Sequence, residues 1–187
     1  MNTYDLLMNR RSIRKFKQSR IDPQILAQLA DVARMAPTGA NLQPLKLKIV
    51  DEAETNSKIF AHIKWAGYLA PNGAPQAGQE PTAYICLFID TNIKQRGDYA
   101  EIGAAAQSIM MLAESYGIGT CWLGAINRDE IVKILNVSDR YYLHTIIALG
   151  HKDQISVAED IKDDVKYYED ENKVLHVPKR RLEDVLL

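Results

Sequence analysis

Along the 187 residues, apolar positions alternate between helical and strand spacing, and each switch marks an element. Thr3 caps a short helix through Met8. Asp22 and Pro23 open a second helix, with a capping carboxylate and a proline in the first turn. Its apolar positions Ile25, Leu26, Leu29, Val32 and Ala33 share one face, and Pro37 stops it. Leu45, Leu47 and Ile49 alternate with Lys46 and Lys48, which predicts a strand with one wet face. A short helix around Ile59, Phe60 and Ile63 follows. Tyr84 to Ile89 is apolar without a break, as in a strand buried on both faces. Asp98 opens a long helix through Tyr116, with Ile102, Ala105, Ala106, Ile109, Leu112 and Ala113 as its stripe and Gly117 as its stop. Ile118–Leu123 reads as a strand, Arg128–Leu135 as a helix and Tyr142–Leu149 as another central strand.

Two stretches lack a period. Lys64 to Pro81 holds Gly67, Pro71, Gly73, Pro75 and Gly78 and reads as a long loop of functional or mobile kind. Glu159 to Glu171 carries seven acids and two lysines and reads as a solvated surface run. Val174 to Pro178 then forms an extended arm. Strands and helices roughly alternate, so the class is α/β or α+β with a mixed sheet. No internal repeat is apparent.

Composition narrows the class. The length suits one domain with a full core, residues 1–187. A formal net charge of −1 argues against a nucleic-acid binder. Cys86 and Cys121 lie far apart in apolar segments, as core thiols of a reducing compartment. No apolar stretch reaches membrane-spanning length and no secretory signal is evident, so the expectation is a cytoplasmic protein without membrane contact.

Against that neutral background, cations cluster near both ends: Arg10, Arg11, Arg14, Lys15 and Lys17 around Ser12, and Lys179-Arg180-Arg181. Either cluster alone could be a solvated patch. Together, guanidinium forks with a hydroxyl between them suit the oxygens of a phosphate dianion. Gly117-Ile118-Gly119 is not a rival phosphate loop, because it ends a helix and opens a strand, the reverse of the dinucleotide-binding order. Pro37 to Gln43 is either a plain connector or a source of hydroxyl, amide and backbone groups for a flat heterocycle. Trp122 reads as core. His62, His144, His151 and His176 have no partners at ligand spacing. No catalytic side chain and no metal motif stands out.

The Arg10-Arg11-Ser12-Ile13-Arg14 segment, the Ala36-Pro37-Thr38-x-x-Asn41-x-Gln43-Pro44 loop, the Trp122-Leu123-Gly124 strand end and the carboxy-terminal basic triplet, in that order, resemble the FMN-dependent nitroreductase family. The resemblance implies an α+β fold with a mixed, mostly antiparallel sheet flanked by helices, in an intertwined homodimer whose dimer helix is Asp98 to Tyr116. It implies FMN held through its phosphate by Arg10, Arg11, Ser12 and Arg14 with two of Lys179, Arg180 and Arg181. Pro37, Thr38 and Asn41 would contact the ring from the partner subunit, and Leu123 and Gly124 would lay backbone against it. NADH or NADPH would donate a hydride to the flavin, and a small acceptor such as a nitroaromatic or quinone would then be reduced. The cofactor would carry the chemistry, which fits the missing acid–base apparatus. Flavin fragmentation, reductive dehalogenation, ring oxidation, or a store of FMN without turnover are the alternatives. The 64–81 loop and the region after His151 are where acceptor choice would be set.

Overall fold

The uninterrupted apolar run Tyr84 to Ile89 forms the body of strand β3 (Ala83–Asp90), and every residue of the strand, the terminal Asp90 included, is buried. This computed structural model describes residues 2–94 and 99–187. Strand β3 pairs antiparallel with β2 (Leu45–Val50) on one side and β5 (Tyr141–Lys152) on the other. The far edge of β5 takes β4 (Ile118–Leu123), also antiparallel, and β1 (Phe16–Lys17) pairs with Lys152 and His151 at the end of β5. The register of β3 on β5 shifts between Leu87 and Phe88, whose partners are Thr145 and Leu143, so His144 is the extra residue of a bulge.

Period-two alternation divides the sheet's side chains between two cores. Ile85, Leu87, Ile89, Ile147 and Leu149 pack against α2 (Pro23–Ala33) and α4 (Tyr99–Ser115). Tyr84, Cys86, Phe88, Ile146 and Ala148 pack on the other face, against Ile59 of α3 (Ala53–Phe60) and Ile131 and Leu135 of α5 (Arg128–Leu135). The chain therefore forms a mostly antiparallel sheet between two helical layers. Asp22 caps α2 through the Gln24 amide and Asn127 caps α5 through the Glu130 amide. The long helix runs from Tyr99 to Ser115, and Gly117 follows at φ +70°; the expected start at Asp98 lies outside the described residues. The cap of α1 (Thr3–Asn9) is Asn2, whose Oδ1 accepts from the Asp5 amide at 2.9 Å, and not Thr3.

Two expectations change. The acidic run is not a bare surface segment. It contributes β6 (Ser156–Asp160) and β7 (Tyr168–Glu169) to a second, three-stranded sheet around β8 (Leu175–Lys179), parallel to β6 and antiparallel to β7. The 64–81 segment is also folded: it makes a short 3-10 turn at Gly67–Leu69 and buries Ala66, Gly73 and Pro75. Neither element carries a period, because both are held by side chains from distant parts of the chain.

Candidate cofactor-binding site

Two apolar residues anchor the amino-terminal basic segment. Ile13 and Phe16 are buried, and the Ile13 amide donates to the Thr120 carbonyl at 2.8 Å, so the segment runs beside β4. A Cβ on Gly119 would stand 2.9 Å from Ile13 Cγ2, and one on Gly150 would stand 2.8 Å from Phe16 Cβ. These glycines are close-approach positions. Gly119 thus serves packing, in keeping with the rejected phosphate-loop reading.

With Ile13 and Phe16 turned inward, the cations between and before them face outward and meet the other end of the chain. A cleft of about 630 Å³ is lined by Arg10 and Arg11 at the end of α1, and by Lys179, Arg180 and Arg181 after β8. Glu159 and Asp160 of β6 line the same cleft. Asp160 lies 3.6 Å from Arg181, which also approaches Glu183 at 3.6 Å. Glu159 is held by His176 Nδ1 at 2.9 Å and accepts from the Tyr168 hydroxyl at 3.0 Å. Arg11 donates to the Met8 and Arg10 carbonyls, while its Nε is buried without an acceptor. Burial first, and the Arg10 charge second, hold the Arg11 guanidinium below its ordinary pKa. Arg10, Lys179 and Arg180 form no ion pair among the described residues, so a phosphate entering the cleft would find cations not already neutralised. An orphaned buried guanidinium N–H and three uncommitted cations fit the group that the sequence implies.

Ser12 and Arg14 do not line that cleft. Ser12 bridges to Thr120 along β4. Arg14 points toward a different neighbour: its guanidinium carbon sits 4.8 Å from the centre of the Tyr167 ring, and its amide donates to Gln154 Oε1 at 2.9 Å. Tyr167 in turn meets Tyr68 of the 64–81 segment, with ring centres 5.0 Å apart. Next to Arg14, Lys15 pairs with Glu169 at 2.7 Å. The sequence reading missed this aromatic and ionic seam. Its one available signal was a tyrosine pair, Tyr167-Tyr168, inside an acidic run.

From Thr120 to Gly124, four residues along, a strand rises ~13 Å. At that far end Leu123 is buried and Gly124 is exposed, and a Cβ on Gly124 would meet nothing within 4 Å. The backbone there is open to a flat ligand. Trp122 corrects the expectation of a core residue. It is 39% exposed, lies against Gly103 of α4, and donates its indole N–H to Thr145 Oγ1 at 2.7 Å. The Thr145 hydroxyl donates to the Leu123 carbonyl at 2.6 Å, which fixes the strand end. Side chains on β4 alternate, so burial of Cys121 and Leu123 turns Trp122 to the opposite face.

The Pro37 to Gln43 connector is shaped by three non-glycine residues at positive φ: Ala40 at 50°, Asn41 at 54° and Gln43 at 51°. Its hydrogen bonds run within itself and to α4. Thr38 Oγ1 accepts from the Gln43 amide at 3.1 Å, and Glu101 Oε1 accepts from the Gly39 amide at 2.7 Å. Pro37 and the Asn41 side chain stay exposed. Within this one chain, none of these bonds joins the loop to the end of β4.

Both cysteines and two of the four histidines are buried or held by partners. Burial pushes the Cys86 thiol up to about 12 and raises that of Cys121, against the opposing charges of Arg14 and Arg10. His144 is buried between Tyr99 and Tyr142. His176 is a satisfied surface histidine, held by Glu159, by Asp170 at 3.3 Å, and by the Tyr168 ring stacked at 4.8 Å. Among the described residues, no group of three or more His, Cys, Asp or Glu could hold a metal ion, and no helix is long and apolar enough to cross a membrane.

Residues 7–151 match the family model described as "Nitroreductase family". The FMN reductase (NADPH) of Bacillus subtilis (strain 168) is 23% identical over 168 residues, covering 83% of this chain and 68% of the relative. Among solved structures, a nitroreductase family protein from Clostridium novyi NT aligns with a TM-score of 0.69 at 22% identity, covering 100% of both chains. A Desulfovibrio desulfuricans structure solved in complex with FMN aligns with a TM-score of 0.70 at 22% identity, covering 82% of this chain and 88% of that one.

Proposed function

The chain belongs to the nitroreductase family, and from that premise we propose that it binds FMN and uses NADH or NADPH to reduce small oxidised acceptors such as nitroaromatics and quinones. The observation that carries this reading is the cleft in which Arg10 and Arg11 meet Lys179, Arg180 and Arg181, at one end of the β4 edge whose other end is the open backbone of Gly124. The names of relatives, an FMN reductase using NADPH and a structure holding FMN, support the same cofactor and donor.

Bound FMN would supply the ring that takes a hydride from the donor and passes the electrons to the acceptor. The chain's own residues do the rest. Arg10, Lys179 and Arg180 hold the phosphate, and Arg11 adds the buried N–H. Ser12 stands on the path between phosphate and ring, beside Thr120. Arg14 and its Tyr167 cover lie along the flank of β4. Leu123 and Gly124 present backbone at the reacting end, and the absence of a Cβ at Gly124 lets a flat ring approach. No side chain near Gly124 need shuttle a proton in a hydride step, which agrees with the buried His144, the paired His176 and the raised thiols.

A second copy of the chain completes this reading. Helix α1 buries none of its residues and exposes Tyr4, Leu7 and Met8, and the carboxy terminus exposes Leu182, Val185 and Leu186. Apolar surface of that kind is covered on association, and Pro37, Thr38 and Asn41 of the partner would then supply the remaining ring contacts. The test is anaerobic mixing of the purified yellow protein with NADH and with NADPH in a stopped-flow instrument. Rapid bleaching followed by reoxidation with a quinone supports the reading. Protein that holds FMN and stays yellow with both donors is a flavin store instead.

A further inference from the structure

We infer that the groove beyond Gly124 is the seat of the anionic part of the hydride donor, its pyrophosphate, and that Lys64 is a determinant of donor recognition. This rests on the proposed placement of FMN at Gly124. The groove has a volume of about 590 Å³ and is lined by residues 61–64 and 124–128. Two segments zip together to make its floor. The Lys64 amide donates to the Ala125 carbonyl at 2.9 Å, the Asn127 amide donates to the His62 carbonyl at 2.9 Å, and Ile63 bridges antiparallel to Ile126. Because their main chains are fixed in this way, the side chains of His62 and Lys64 flank Gly124 from a set position.

The ionisable side chains of the lining are His62, Lys64 and Arg128, all basic. Two acids stand in the first turn of α5 just outside the lining: Asp129, next to Arg128 in the chain, and Glu130, which Lys133 occupies at 2.7 Å and which also feels the His62 ring. Arg128 is anchored by its Nη2, which donates to the Gly124 carbonyl at 3.2 Å and the His144 carbonyl at 2.9 Å, while its Nε is buried with no acceptor. One base therefore ties the groove to the reacting end of β4; His62 has Glu130 within electrostatic reach beyond the lining, and Lys64 stands on a lining that itself holds no carboxylate. A donor whose nicotinamide sits at Gly124 must lead its pyrophosphate away along some surface. This groove starts at that glycine and carries the complementary charge. It is separate from the cleft of Arg10 and Lys179, so the two phosphate-bearing ligands do not compete.

The experiment compares two donors that share a dihydronicotinamide riboside, of which only NADH carries the pyrophosphate and its adenosine: NADH and reduced nicotinamide riboside. Anaerobic flavin bleaching is followed at full FMN occupancy in the parent, Lys64→Ala and Lys64→Glu. The half-saturating NADH concentration should rise about tenfold in Lys64→Ala, as for loss of one charge-assisted contact, and further in Lys64→Glu. Reduced nicotinamide riboside should be unchanged, and added salt should weaken NADH in the parent more than in Lys64→Ala. Equal shifts for both donors, or none for NADH, overturn the inference. Parent protein that binds no FMN, or is bleached by neither donor, overturns the functional reading itself.

Discussion

In the large sheet, β3 and the middle of β5 are buried on both faces; in the small sheet, Leu175 is the one buried strand residue. The large sheet is sealed by apolar contacts from α2 and α4 on one side and α3 and α5 on the other. The small sheet is tied by backbone pairing and by polar cross-links. His176 lies between Glu159 and Asp170 on the Tyr168 ring, and Lys15–Glu169 and Arg14–Tyr167 join it to the amino-terminal segment. Burial is insensitive to salt and pH, whereas partly exposed ion pairs are weak and screened. The half of the proposed phosphate site that Lys179 and Arg180 supply thus stands on the electrostatically held ledge. The other half, at Arg10, follows a segment bolted to the core by Ile13 and Phe16.

The sharpest challenge to this contrast is an ion pair whose carboxylate the large sheet buries. Asp90 ends β3 with no exposed side-chain surface, and Arg140 donates to it from Nε at 2.9 Å and from Nη2. Arg140→Ala leaves the Asp90 carboxylate without its bidentate partner and should destabilise the protein by more than the loss of an exposed pair does, read as a fall in the urea midpoint. A loss below about 1 kcal/mol, the range of an exposed pair, would mean that water reaches Asp90 and that the sheet edge is less sealed than its packing indicates.

A smaller effect sharpens the functional side. Arg180→Ala should weaken FMN by about 1.5–3 kcal/mol, the range for a hydrogen bond to a charged group, and leave riboflavin nearly unchanged, by fluorescence titration of the stripped protein. Equal losses for the two flavins would move the phosphate away from the ledge.

The smallest effect is a local one of pH. Glu159 first, then Asp170, raise the His176 pKa above the usual 6.5. The protonated ring is favoured in the folded sheet, so its stabilisation is complete below that ordinary value and is lost as pH rises through the raised one. Once corrected for the intrinsic base catalysis of exchange, hydrogen exchange in residues 156–179 should therefore quicken above neutral pH while residues 83–90 keep their protection. His176→Gln should remove the pH dependence of the ledge. Uniform quickening of both sheets would erase the distinction between them.

Much of this was legible in the chain. Ile118–Leu123 and Arg128–Leu135 appear with the expected bounds, because each carries its own period and its own cap or turn. Asp22-Pro23 marks the start of α2 by local chemistry alone, as Gly117 marks the end of α4. The two basic clusters announced a shared anion, and the fold brings Arg10 and Arg11 to Lys179, Arg180 and Arg181. Other features were not legible, because their partners lie far away in sequence. The small sheet forms only when Glu159, Asp170 and His176 meet, and Tyr68 finds Tyr167 across about half the chain.

The sequence by itself determined the helices and the long strands of the large sheet, the sidedness of that sheet and the clustering of cations at both ends, since periodicity, capping and charge are properties of short stretches. Tertiary structure alone decided which cations share a cleft, that Arg14 leaves it for an aromatic ring, that Trp122 turns outward, and that Gly119 and Gly150 exist for Ile13 and Phe16. These outcomes depend on distances between residues remote along the chain, which packing sets and local pattern does not encode.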